Sequence, residues 1–224
     1  MNIIVLFMVS VMAIFVWWMI LQRVTAKPWL EQGVAIDPRE ATATGYSSYV
    51  AGKLALWVFM VVITSLFLLF VTAYHMRMHL GDWHPLPDPG ALWFNTALLA
   101  AASIALQVAR RGIKQRRASL VRAGYLGGGI LALAFLAAQL WVWQQLGEAG
   151  YRVAGNPANS FFYLLTGLHG AHLLGGLLVW SVGAVRLLGG APLGSLRLNV
   201  ESCSVYWHYL LLLWLGLFAL LLHT

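Results

Sequence analysis

Six stretches of this chain, roughly residues 3–21, 54–74, 92–109, 124–146, 160–185 and 203–222, are apolar over most of their length. Each is about as long as a helix must be to cross ~30 Å of hydrocarbon at 1.5 Å per residue. No other feature constrains the fold so tightly. In lipid every backbone N–H and C=O must find its partner inside the protein, and a helix does this within one segment. Composition agrees, with 61% hydrophobic and 9% charged residues against roughly 25% charged in a soluble domain. The chain therefore reads as all-α, a polytopic membrane helix bundle of about six transmembrane helices. The first run has no basic residue before it and no small-residue cleavage pattern before Arg23, so it reads as a retained helix rather than a signal peptide. The organisation that follows is an additional N-terminal transmembrane helix in 1–23, a cytoplasmic linker or short surface helix in 24–52, and a five-helix core in 53–224.

The net charge of +7 is uneven. Arg110, Arg111, Lys114, Arg116, Arg117 and Arg122 crowd one inter-helix segment with no acid among them. In a soluble chain such a run would point to nucleic acid; beside a transmembrane helix it is a positive-inside signal, and no nucleic-acid partner is expected. That segment is then cytoplasmic. Alternation puts 23–53 (Arg23, Lys27, Arg39, Lys53) and 186–202 (Arg186, Arg197) on the same side. Segments 75–91 and 147–159 fall outside, with Asp82, Asp88 and Glu148, and both termini are periplasmic in a bacterial inner (plasma) membrane. Trp17, Trp18, Trp57, Trp83, Trp93 and Trp180 lie near predicted helix ends, as an interfacial belt would. Cys203 is the single cysteine, which excludes an internal disulfide and a CxxC metal site.

None of the acids Glu31, Asp37, Glu40, Asp82, Asp88, Glu148 and Glu201 falls mid-helix. Ion and proton pathways through a bilayer leave buried carboxylates or bases behind, so a self-contained pump, channel or proton-coupled carrier is disfavoured. The ionisable residues inside the runs are His169 and His172, three apart, and His208. Imidazole ligates haem and copper. It serves equally as a neutral hydrogen-bonding group between packed helices. A metal site would recruit further ligands and none is available mid-helix, so the packing reading is preferred and no metal, cofactor or catalytic residue is assigned. Glu201, Ser204 and His208 fall at i, i+3 and i+7, on one helix face. Glu201 has two readings at this level, a carboxylate at headgroup depth paired with Arg197, or a hydrogen-bonded contact at a lipid or subunit boundary. Gly127, Gly128, Gly129, Gly167, Gly170, Gly175 and Gly176 mark close helix approach.

The stretch from Phe161 to His172, with Thr166-Gly167, His169-Gly170, His172 and Gly175, resembles the Thr-Gly-x-His-Gly-x-His-x-x-Gly signature of the cytochrome oxidase subunit III family. Glu201, Tyr206-Trp207-His208 and Trp214 resemble that family's final helix. Asn95-Thr96 with Ser103, and Phe135 with Gln139, add weaker matches. The resemblance covers about residues 53–222. It implies helices in two groups around a V-shaped lipid cleft, between the first two core helices and the last three. It implies an accessory, non-redox subunit of a haem-copper terminal oxidase that packs on subunit I, with subunit II and small subunits nearby and haems and copper in those partners. Bound phospholipids follow, with Lys53, Arg77 and Arg197 as headgroup candidates. So does a structural polar seam of Thr166, His169, His172, Glu201, Tyr206, Trp207 and His208 joining the last two helices. Related accessory subunits of a quinol oxidase or nitric oxide reductase fit the same motifs, and a free-standing histidine-ligated haem or metal protein is the competing class. The chain departs from the family at three acidic positions, where it has Val62-Ile63, Val142 and Leu211. This removes the family's intramembrane carboxylates and with them the basis for a proton antenna within the membrane.

Overall fold

The computed structural model describes residues 38–84, 86 and 90–223, with side chains from residue 51 onward. The chain divides into two compact units, Met1–Tyr46 and Ser47–Thr224, and the packing described below belongs to the second. The expected helix at 3–21 and the linker up to residue 37 lie outside the described residues.

Five helices follow in order: α1 Pro38–Arg77, α2 Ala91–Lys114, α3 Ala118–Glu148, α4 Pro157–Leu188 and α5 Leu193–Leu222. All five contain a segment long and apolar enough to cross a membrane, from residue 51 onward in α1, and the chain is a multi-pass membrane protein. Every helix outruns its apolar stretch. Hydrocarbon sets the length of the stretch, but backbone hydrogen bonding continues through the interface. The start of α1 at Pro38 rather than near residue 54 fits this, since proline is tolerated in a helix's first turn. α4 begins with Pro157 behind Asn156, whose side chain accepts from Ala158 N at 3.1 Å. The α4–α5 turn closes through Ala191 N to Arg186 O at 3.0 Å, and Gly190 supplies its left-handed residue (φ 79°).

α2, α3, α4 and α5 form a ring in which each helix packs on the next and α5 returns to α2. Small residues set the spacing. A Cβ on Gly124 would lie 2.5 Å from Ala105 O and 2.6 Å from Ala109 N, and one on Gly128 would meet Leu106 at 2.6 Å. Gly129 faces Trp180 and Gly176 faces Tyr206 and Trp207 in the same way. α1 has no comparable backbone approach to the ring. Side chains bridge the distance instead: Tyr209 O–H donates to Met60 O (2.9 Å) and pairs with Thr64 Oγ1 (2.8 Å). Phe59 stacks on Tyr206 at 6.0 Å, and Phe67 lies 5.6 Å from the His172 ring.

This corrects the expected grouping. α2 does not stand with α1 across a cleft from the last three helices. It is bound into the ring by Asn95 Nδ2 donating to Gln139 Oε1 (2.8 Å) and Trp214 Nε1 donating to Thr96 Oγ1 (2.9 Å). Among the described residues, the sparsely packed boundary falls between α1 and the ring.

Candidate functional site: the polar seam and the Glu201 cluster

α4 and α5 are neighbours, and of the seam residues Thr166, His169, Glu201, Tyr206 and Trp207 are buried while His172 and His208 are partly exposed. Thr166 is buried, donates to Phe162 O (2.7 Å) and accepts from Trp143 Nε1 (3.2 Å). Tyr206 O–H donates to His172 O at 3.1 Å, tying α5 to α4. Trp207 is fully buried against the gap left by Gly176.

The three histidines do not meet as expected. His172 and His208 each place Nδ1 on the carbonyl four residues back in their own helix, Leu168 O at 2.7 Å and Ser204 O at 2.6 Å. A helical imidazole can settle its Nδ1 this way without reaching across, so neither Nδ1 ties α4 to α5. His169 is wholly buried between Phe135 (5.9 Å) and Trp214 (5.2 Å), on the ring's interior side. Among the described residues no three His, Cys, Asp or Glu side chains are grouped to hold a metal.

At the other end of α5, Glu201 is nearly buried, at 5% exposure. Arg197 Nε donates to its Oε1 at 2.9 Å, and Lys53 Nζ of α1 stands 3.0 Å from its Oε2. The structure therefore unites two of the three headgroup candidates. It also places Arg197 and Glu201 inside a helix that begins ten residues before the apolar run at 203. Arg77 is at the opposite end of α1, gripping Asp82 with both guanidinium nitrogens, Nη1 to Oδ1 at 2.6 Å and Nη2 to Oδ2. That guanidinium holds the Asp82 carboxyl below its ordinary range. Close by, Trp83 meets Tyr74 edge-on at 4.8 Å, and Asn156 Nδ2 donates to His84 O, tying the α1–α2 loop to the start of α4.

One cluster had no sequence signal beyond its glycines. Tyr125 of α3 donates to Asn199 Oδ1 of α5 and lies 3.2 Å from Trp180 O of α4. Trp180 Nε1 returns a bond to Tyr125 O at 2.7 Å. A Cβ on Gly183 would lie 2.3 Å from Tyr125 Oη. Trp180, expected in the aromatic belt, is instead half-buried in this clamp.

Long apolar helices, a glycine-spaced ring and a buried polar interior define a polytopic membrane bundle. The chain belongs to the cytochrome c oxidase subunit III family, whose model matches residues 3–223. Among its relatives is a probable cytochrome c oxidase subunit 3 of Nocardia farcinica, 28% identical over 142 residues, covering 62% of this chain and 70% of the relative. A cytochrome c oxidase subunit 3 of Corynebacterium diphtheriae is 28% identical over 157 residues, 68% of this chain and 76% of the relative. That of Drosophila melanogaster is 25% identical over 195 residues, 80% and 73%.

Proposed function

We propose that this chain is the accessory, non-redox subunit III of a haem-copper terminal oxidase in a bacterial inner membrane. It stabilises subunit I and holds phospholipids, and it supplies no catalytic residue. Family membership supports the oxidase assignment. The observation that carries the lipid-holding role is the Glu201 cluster. Two cations from two helices, Lys53 and Arg197, meet one carboxylate where both helices reach the basic end of the bundle. Bases at this level suit a phosphate headgroup, and each base near an anionic surface contributes about 1 kcal/mol. Contact with subunit I is supported by the outward face of α4, where Leu174, Leu178, Val182 and Val185 are all more than half exposed. With Ile63 and Val142 buried and apolar, the intramembrane face offers no proton collector.

The test is purification of the complex through a tag on this chain from detergent-solubilised membranes. Subunit I with haem, a copper-bearing subunit II and bound phospholipid are the expected companions. Deleting the chain should shorten the working lifetime of the oxidase and leave its initial rate near that of the intact complex. Recovery of the chain alone, with stoichiometric metal that disappears in His172→Ala, overturns the reading. A complex without the copper subunit assigns the chain to a quinol oxidase or nitric oxide reductase.

A further inference from the structure

The ring's interior contains polar atoms that make no hydrogen bond among the described residues: Asn95 Oδ1, Gln139 Nε2, both ring nitrogens of His169, Ser103 Oγ and Trp207 Nε1. All belong to side chains at most 4% exposed. No lipid headgroup or partner subunit reaches such atoms, so whatever satisfies them is very small.

They fall into two layers. Asn95 is bonded to Gln139, its neighbour Thr96 is bonded to Trp214, and Trp214 and Phe135 enclose His169, which places these groups at one level. Ser103 lies two helical turns further along α2 from Asn95, and Trp207 two turns back along α5 from Trp214. The two helices are antiparallel, so both steps lead in the same direction, about 11 Å at 1.5 Å per residue. Ser204 Oγ to Gln107 Oε1 (3.2 Å), one turn further again on both helices, confirms that register.

The chemistry of each layer is complementary to one molecule. In the first, an amide N–H donor (Gln139), a carbonyl acceptor (Asn95) and an imidazole with one donor and one acceptor need a partner that both gives and accepts hydrogen bonds. In the second, the Trp207 N–H donates and the Ser103 hydroxyl does either. A single water has two donors and two acceptors, and buried water typically makes about three bonds to such groups. An orphaned polar group is costlier in a bilayer than in a soluble protein because no bulk water can reach it.

We propose that the interior of the α2–α5 ring binds ordered water in these two layers, one held by Asn95, Gln139 and His169 and one by Ser103 and Trp207. The water is part of the packing and keeps the polar interior satisfied.

The experiment is radiolytic footprinting of the full chain in its assembled complex, in which hydroxyl radicals formed from bound water oxidise adjacent side chains that bulk solvent does not reach. Trp207 and His169 should be oxidised several-fold faster than the equally buried Phe162. Ser103→Val should bring Trp207 down to the Phe162 level and leave His169 unchanged. Where that variant does not assemble, a density map of the unmodified complex at water-resolving resolution decides. Peaks within hydrogen-bonding distance of His169 and Trp207 support the proposal. Oxidation of Trp207 and His169 no faster than Phe162, or direct pairing of His169 with Asn95 or Gln139 and no peak, overturns it.

Discussion

α1 and the α2–α5 ring are built from the same apolar residue types, yet they are held in different ways. In the ring, Gly124, Gly128, Gly129 and Gly176 bring backbones close enough for interlocking, and polar pairs such as Asn95–Gln139 are sealed inside. α1 reaches the ring through side chains at long range: Phe59, Phe67, Thr64, Tyr74 and Lys53 against Tyr206, His172, Tyr209, Phe161 and Glu201. In lipid there is no hydrophobic force pressing helices together, so close packing and interhelical hydrogen bonds must do that work. By that criterion the ring is the rigid unit and α1 is the element able to shift against it.

The largest effect should follow from overfilling the ring. A Cβ on Gly129 would lie 2.0 Å from the Trp180 ring, so Gly129→Val must expel the indole and break its bond to Tyr125 O. Overpacking costs roughly 1–3 kcal/mol, and this substitution should sit at the upper end, read as a lowered thermal midpoint of the full chain in detergent. Gly127→Val is the control, because nothing lies within 4 Å of a Cβ there. Equal behaviour of the two variants would remove close packing as the ring's distinguishing property.

The type and order of the five described helices were legible from run length alone, because hydrocarbon thickness sets a length that no loop imitates. Which face of each helix points inward was not. Leu99 is fully buried and Ile104, five residues on, is 65% exposed; both suit hydrocarbon, so apolar periodicity does not distinguish core from lipid. Polar residues carry that information instead. Asn95, Ser103, Gln139, Thr166, His169 and Ser204 are all buried, and their positions in the sequence mark the inward faces. The glycines were half legible. Gly128, Gly129 and Gly176 mark close approaches, but Gly127 and Gly175 face nothing, and the tight Gly124 and Gly183 had no signal to set them apart. The Tyr125–Asn199 pair and the Lys53–Glu201 pair join residues 74 and 148 positions apart, a separation that spacing along one helix does not encode.

A second test sharpens the contrast from the α1 side. Tyr209→Phe deletes both hydroxyl contacts to α1, at Met60 O and Thr64, and leaves the ring's packing intact. Interhelical hydrogen bonds in membranes average about 0.6 kcal/mol and reach ~1.7, so the midpoint should move far less than in Gly129→Val. The effect should be local. Hydrogen exchange should accelerate in α1 around residues 60–64 and stay unchanged in α2 and α3. Uniform acceleration over all five helices would mean that α1 is as integral to the bundle as the ring helices are.

The smallest effect belongs to the C-terminal end of α1, where Arg77 clasps Asp82 at a partly exposed position. The Asp82 carboxyl is held below its unfolded value of about 3.9 chiefly by its hydrogen bond from Arg77. A depressed carboxyl stabilises the folded form fully above its unfolded value and loses that contribution as pH falls through the folded one. The clasp should therefore be unchanged from neutrality down to about pH 5 and open progressively below about pH 4. Solvent and salt screen an exposed pair, so the loss should appear as fraying of the last turn and the Leu80–Trp83 turn, not as unfolding. Trp83 fluorescence is a suitable reporter because its ring packs on Tyr74. Asp82→Asn should show the frayed signal at every pH and no transition on acidification. If that variant keeps the acid transition, the titrating group is another one and the clasp does not fasten the end of α1; if high salt leaves the transition untouched, the pair is less exposed in the membrane than its position implies.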